Sequence, residues 1–297
     1  MLKRSLLSTA LVALIFSFFT VNAQQENENE KKKGYIFTDE IRLAATPVKN
    51  QYRSGTCLSF GTNSLIESEL LRIGKGEIAL SEMFVVYNTY ASKVDRYVRF
   101  HGSISFSGGG ALPDAFYVLE NFGAVPDEAY SGKVIGEENH VHGEMDAVLK
   151  AFADAVIKNP NRKLTPVWKE GYNSLLDVYL GSYPKEFTYK GKNYTPKSFA
   201  ASLGIKAEDY VQLASFTHHP FYKDFIIEVP DNWNFEKSWN LPLNEFMEVI
   251  DAALAAGYTV AWASDISEKG FSHRNGVAIV PETESQVMDG MERGRWE

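Results

Sequence analysis

The stretch Pro47-Val48-Lys49-Asn50-Gln51-Tyr52-Arg53-Ser54-Gly55-Thr56-Cys57-Leu58-Ser59-Phe60 holds the only cysteine among 297 residues, where a polar loop gives way to an apolar-periodic run. From Leu58 the apolar positions fall at Leu65, Ile66, Leu70 and Ile73, which places one stripe on one face of a helix. Thr56 or Ser54 is the expected cap, because a hydroxyl oxygen accepts one of the first unpaired backbone N–H groups. Cys57 then sits in the first turn, where those N–H dipoles favour an anion and so the nucleophilic thiolate.

A lone cysteine at the start of a core helix also serves simply as a small buried hydrophobe. Gln51, six positions upstream on a loop containing Ser and Gly, argues for the reactive alternative. Its amide can donate to an oxygen near the sulfur, as acyl transfer requires for the tetrahedral oxyanion.

Further motifs follow in order: Leu80-Ser81-Glu82 leading an aromatic run through Phe84, Tyr87 and Tyr90; Gly108-Gly109-Gly110-Ala111; and Tyr117-Val118-Leu119-Glu120-Asn121-Phe122-Gly123-Ala124-Val125-Pro126. Together with the stretch around Cys57 they resemble the nucleophile half of papain-like cysteine peptidases, and within these the bleomycin hydrolase and aminopeptidase C branch. The resemblance covers roughly residues 40–131. It implies an α+β, papain-like fold: a helical half opened by the nucleophile helix and a β-rich half that is incomplete here. It also implies Cys57 as the catalytic nucleophile, with Gln51 and the Cys57 backbone N–H as oxyanion donors. Gly108, Gly109 and Gly110 would line the cleft and let the substrate backbone approach, since glycine removes the side chain that would block it. No cofactor is implied. The chain departs from the pattern in two ways: Leu58 stands where an aromatic residue usually follows the nucleophile, and no Asn-Ser-Trp-Gly occurs.

The first 23 residues read as an export signal: Lys3 and Arg4, an apolar run from Leu11 to Val21, and a small-residue cleavage site at Val21-Asn22-Ala23. The run is short for a membrane span, so the mature chain is expected outside the cytoplasm, periplasmic or secreted, without stable membrane insertion. Net charge is −8 and becomes −10 once Lys3 and Arg4 are removed, which argues against a nucleic-acid groove. One cysteine excludes an internal disulfide, although export permits them. The expected partner is a peptide substrate, and homo-oligomerisation is left open.

Residues 24–34 read as a flexible polar tether, and residues 35–297 as the peptidase domain, with a helical insertion at about 133–240. Helices are expected over residues 80–100, 112–122, 145–158, 172–180 and 245–256, and a hairpin over 187–195. The aromatic residues of the 80–100 run are read as core. The pairs His140/His142 and His218/His219 lack a nearby third ligand at helix or hairpin spacing, so no metal is expected. His101 is read as structural. Tyr258-Thr259-Val260-Ala261-Trp262-Ala263 reads as a buried strand, and Asp265, Ser267 and Glu268 lead a polar loop to His273.

A nucleophilic cysteine needs an imidazole to protonate the leaving amine and a third group to hold that ring. His273 precedes an apolar run, as the papain-type histidine does. In the branch resembled here, however, a strand ending Ala-Trp-Ala-Ser-Asp precedes the catalytic histidine. The favoured expectation is therefore that the base-bearing half lies beyond residue 297. The function expected is an exported cysteine peptidase acting through a Cys57 thioester, an aminopeptidase by branch, with exo- against endopeptidase preference open. The alternatives are a peptide-binding remnant without turnover and a cysteine acyltransferase on the same fold.

Overall fold

Ser81 precedes a run in which Met83, Phe84, Val86, Tyr87, Tyr90, Val94, Tyr97 and Val98 cover almost every side of a helix. A helix apolar nearly all round has to be central. In the computed structural model, which describes residues 38–278 apart from 265, 268 and 269, that is the outcome. The expected signal segment and tether, with residues 35–37 and 279–297, lie outside the described residues. Helix α1 is Cys57–Arg72, α2 is Glu82–Arg99 and α3 is Pro113–Asn121. Ser81 caps α2 by accepting from the Phe84 N–H at 3.0 Å.

Around α2 pack α1, α3, α4 (Gly143–Ile157) and α5 (Trp168–Leu180). The main core joins Tyr87, Tyr90, Val94 and Tyr97 to Met145, Leu149 and Ala153 of α4 and to Tyr172, Leu176 and Leu180 of α5. Buried tyrosines need a partner for the hydroxyl. Tyr87 donates to Asp177 at 3.0 Å, Tyr90 to Asp146 at 2.6 Å and Tyr97 to Asp154 at 2.6 Å. The aromatic run is thus core, and its polar tips lock α2 to α4 and α5.

The hairpin β1 (Phe187–Tyr189) and β2 (Lys192–Tyr194) pairs Phe187 with Tyr194 in antiparallel register. Its turn residues Lys190 and Gly191 have φ of 47° and 76°, the paired positive values of a tight primed turn. Helix α6 (Pro196–Leu203) opens with a capping box from Thr195 and Ser198. Its Phe199 and Leu203 join Ile66 and Leu70 of α1 in a second core. Gly123, at φ +100°, ends α3 where a Cβ would collide with the Pro196 backbone, 2.6 Å from the Lys197 nitrogen. Only glycine fits there.

A three-stranded sheet follows, in the order β3 (Leu213–Ala214), β5 (Lys237–Asn240), β4 (Asp224–Ile226). Strands β3 and β5 run parallel and β4 and β5 antiparallel. After α7 (Leu243–Ala255) comes a short hairpin, β6 (Phe271–Ser272) and β7 (Val277–Ala278). The described chain is therefore mixed: seven helices of eight residues or more with three small sheets.

The expected buried strand at residues 258–263 is not formed. No described strand lies beside it, and an extended segment is held only by pairing. Trp262 is 67% exposed, with Tyr258 and Val260 also exposed. Helix α7 forms near its expected place, yet none of its residues is buried. Among the described residues no helix is long and apolar enough to cross a membrane.

Candidate active site

The segment leading to Cys57 is anchored from below. Lys49 Nζ donates to Glu67 Oε1 at 3.0 Å, to Glu82 Oε1 at 2.6 Å and to the Leu80 carbonyl at 3.2 Å. Thr46 donates to Glu67 Oε2 at 2.5 Å, and the Leu80 N–H to Glu67 Oε1 at 2.7 Å. Burial alone would lower the Lys49 pKa, but the bond to Glu82 and the charges of Glu82 and Glu67 outweigh it, so the ammonium is held. The next turn is set locally: Asn50 Oδ1 accepts from the Tyr52 N–H at 2.8 Å, and Tyr52 and Gly55 take positive φ. Arg53 then pairs in parallel with Val141, its N–H donating to His140 O at 3.0 Å and its carbonyl accepting from His142 N at 3.1 Å.

Cys57 is the first residue of α1 and is exposed. Thr56 occupies the cap position, but neither expected hydroxyl caps the helix. Ser54 Oγ and Thr56 Oγ1 bond to each other at 2.6 Å instead. Unpaired N–H groups therefore remain at the thiol end of the helix. The stripe read from the sequence accounts for part of the buried face: Leu58, Ile66 and Leu70 are buried, while Ile73 is exposed. The rest of that face is polar and bonded. Ser59 donates to Glu82 O at 2.8 Å and Thr62 to Leu112 O at 3.0 Å, beside the Glu67 cluster.

Gln51 is half-buried, and its Oε1 is buried with no hydrogen-bond partner among the described residues. That oxygen is an acceptor, so the donor role expected of Gln51 rests on its Nε2.

Gly108 and Gly110 lie against the nucleophile region, and Gly109 lies against Asp231. A Cβ on Gly108 would sit 3.0 Å from Ser54 O and 3.2 Å from Tyr90 Oη. On Gly109 it would meet the Asp231 carboxylate at 3.0 Å, and on Gly110 it would overlap Asp114 and come within 2.6 Å of Leu58 Cδ2. Here the missing side chains allow close packing of the chain on itself. Leu58 fits because it fills the gap under Gly110, and it lines a cavity of about 10 Å³ with Val86, Thr89, Tyr90, Lys93, Ser107 and Gly108.

Beneath this loop is a charged group that the sequence reading passed over. Lys93 is 2% exposed, and its Nζ donates to Ser107 O at 3.1 Å and to Gly109 O. Asp114 Oδ2 accepts from Trp233 Nε1 at 2.7 Å and from the Ala111 N–H at 3.2 Å. Burial pushes Lys93 down to about 8 against the pull of Asp114, Asp231 and Asp146. Burial raises Asp114 to about 6 despite the Trp233 bond and the Lys93 charge. The signal was present: Lys93 falls on the buried stripe Val86, Tyr90, Tyr97 of α2, where a lysine needs a partner.

His140 and His142 are buried behind the loop, His140 edge-on to Phe60. Burial, with the neighbouring His140, lowers His142 to about 4, so this pair stays neutral. For His218/His219 the expectation of no third ligand is corrected, because Glu228 lies 2.7 Å from His219 Nε2. His273 lies exposed on the turn between β6 and β7. Cys57 Sγ has no hydrogen-bond partner among the described residues.

No family model matches the chain. Aminopeptidase C of Streptococcus thermophilus is 23% identical, over 82% of this chain and 64% of its own length. The crystal structure of PepW from Lactobacillus rhamnosis HN001 superposes with a TM-score of 0.58 at 17% identity, over 74% of this chain and 59% of that one. The chain thus spans somewhat less than two thirds of either. A sequence relative and, for the fold, a solved structure support the likeness of this chain to the bleomycin hydrolase and aminopeptidase C branch.

Proposed function

We propose that this chain is an exported cysteine aminopeptidase in which Cys57 attacks the first peptide bond of its substrate. The thiolate bonds to the carbonyl carbon, and the oxyanion is met by the Gln51 amide and the Cys57 N–H. Collapse breaks the C–N bond, and the shortened peptide leaves as an amine after taking up a proton, a step that the resemblance assigns to an imidazole and for which no described histidine lies bonded to Cys57. Water then cleaves the thioester, releasing the amino acid and restoring the thiol. The observation that carries this reading is the seating of Gly108 on the Ser54 and Gly55 carbonyls. It packs the glycine run against the segment that leads to an exposed thiol at a helix start.

The lack of a hydrogen-bond partner for Cys57 Sγ among the described residues favours a second reading, peptide binding without turnover. The two separate on one pair of peptides, with a free and an acetylated N-terminus, incubated with the full chain. The aminopeptidase reading expects release of the first residue from the free peptide at least about tenfold faster. Equal rates on both peptides would overturn exopeptidase action, and binding without product would replace the proposal with the second reading. Export is tested on protein recovered outside the cytoplasm, whose sequence should begin at Gln24. A chain retained inside the cell with residues 1–23 attached would contradict it.

A further inference from the structure

Phe216, His218 and His219 lie on a turn that a buried side chain holds in place. Asn240, on β5, is fully buried. Its Nδ2 donates to Phe216 O at 2.9 Å, His219 O at 3.0 Å and Pro220 O at 3.3 Å. Its Oδ1 accepts from the Phe216 N–H at 2.8 Å. Both ends of one amide thus fix the turn to the central strand of the sheet, so the two imidazoles are presented from a rigid base. The His219 ring stacks on Phe225 of β4 with centroids 4.3 Å apart, and the His218 ring stands edge-on to Phe216 at 5.5 Å.

Two residues past the end of β4, Glu228 completes the group. Its Oε1 lies 2.7 Å from His219 Nε2 and its Oε2 3.6 Å from His218 Nε2. One ligand atom from each of the three residues falls within 4.8 Å of the others. Ligand atoms about 2.0–2.2 Å from one tetrahedral ion lie about 3.3–3.6 Å apart, a spacing that the 2.7 Å and 3.6 Å separations from Glu228 bracket. Two imidazoles and one carboxylate form a mixed nitrogen and oxygen set, which suits zinc-class ions rather than calcium or magnesium. A surface ion pair would need one histidine. Here two rings converge on the same carboxylate, and aromatic packing and the Asn240 clamp orient both.

We propose that His218, His219 and Glu228 form a binding site for a divalent transition-metal ion of the zinc class. The site uses none of the residues assigned to peptide hydrolysis, so it stands or falls separately from that reading.

The test is calorimetric titration of Zn²⁺ into the full chain with Cys57 carboxamidomethylated, which removes the thiol as a competing ligand. The expected result is one ion per chain. Glu228→Gln, His218→Ala and His219→Ala should each weaken binding by at least about tenfold. Glu228 is 61% exposed, so Glu228→Gln keeps the fold, and an unchanged circular dichroism spectrum checks that. His101→Ala should bind as the parent does. Absence of Zn²⁺ binding, or binding that all three site variants leave unchanged, would overturn the proposal.

Discussion

Alanine at position 57 is expected to lower peptide-bond hydrolysis by at least about 10³-fold while leaving the fold intact, as removal of an attacking group does elsewhere. The two effects separate because Cys57 is exposed at the first position of α1. Alanine is a good helix former there, so the stability change should stay within about 0.5 kcal/mol. Release of a coumarin amine from an aminoacyl amide gives the rate, and thermal unfolding gives the stability. Hydrolysis that survives in Cys57→Ala would remove the thiol from the mechanism. A loss accompanied by unfolding would make the residue structural.

The second large effect concerns Lys93. Replacing it with methionine keeps the stem and removes the ammonium that holds the Ser107 and Gly109 carbonyls and faces Asp114. Two carbonyls lose their donor and Asp114 loses a neighbouring positive charge, which should destabilise the chain by about 2–4 kcal/mol in urea unfolding at pH 7. The pH dependence carries a signature. Lys93 titrates at about 8 in the folded chain and near 10.4 when unfolded. Between those values the unfolded chain holds a proton that the folded chain has lost, so this group makes stability rise with pH. Asp114 works in the opposite sense. Its folded value is about 6, against about 3.9 unfolded, so stability falls as pH rises between them. Lys93→Met should abolish the rise between about pH 8 and 10. A variant as stable as the parent, with the rise intact, would show that the lysine does not hold the glycine loop.

Much of the helical half could be read from the sequence because its signals are local. Ser81 before an apolar run, Pro113 at the start of α3 and the Lys190-Gly191 turn each fix nearby backbone by their own geometry. Cys57 and the glycine triplet could be found for the same reason: a unique residue type at a loop-to-helix junction, and a run without side chains. What Gly109 packs against could not be read, since Asp231 comes from far along the chain. Lys93 is not singled out by the helical pattern of residues 80–100, although its stripe is buried. Glu228 was missed because its approach to His219 depends on Asn240 and the pairing of β4 with β5, which no local spacing announces. Residues 258–263 mislead for the same physical reason. Their composition suits a buried strand, but burial needs a neighbour that composition does not supply.

The most direct measurement of the central claim is intact mass spectrometry of the full chain, acid-quenched seconds after mixing with an aminoacyl p-nitrophenyl ester. The nitrophenolate leaves without a donated proton, so the experiment reads the nucleophile and its oxyanion donors independently of any imidazole. The account predicts a mass increase of one aminoacyl group, mapped to Cys57, absent from Cys57→Ala and removed by hydroxylamine as a thioester would be. A chain that releases nitrophenol with no adduct on Cys57, or that reacts equally well as Cys57→Ala, would contradict it.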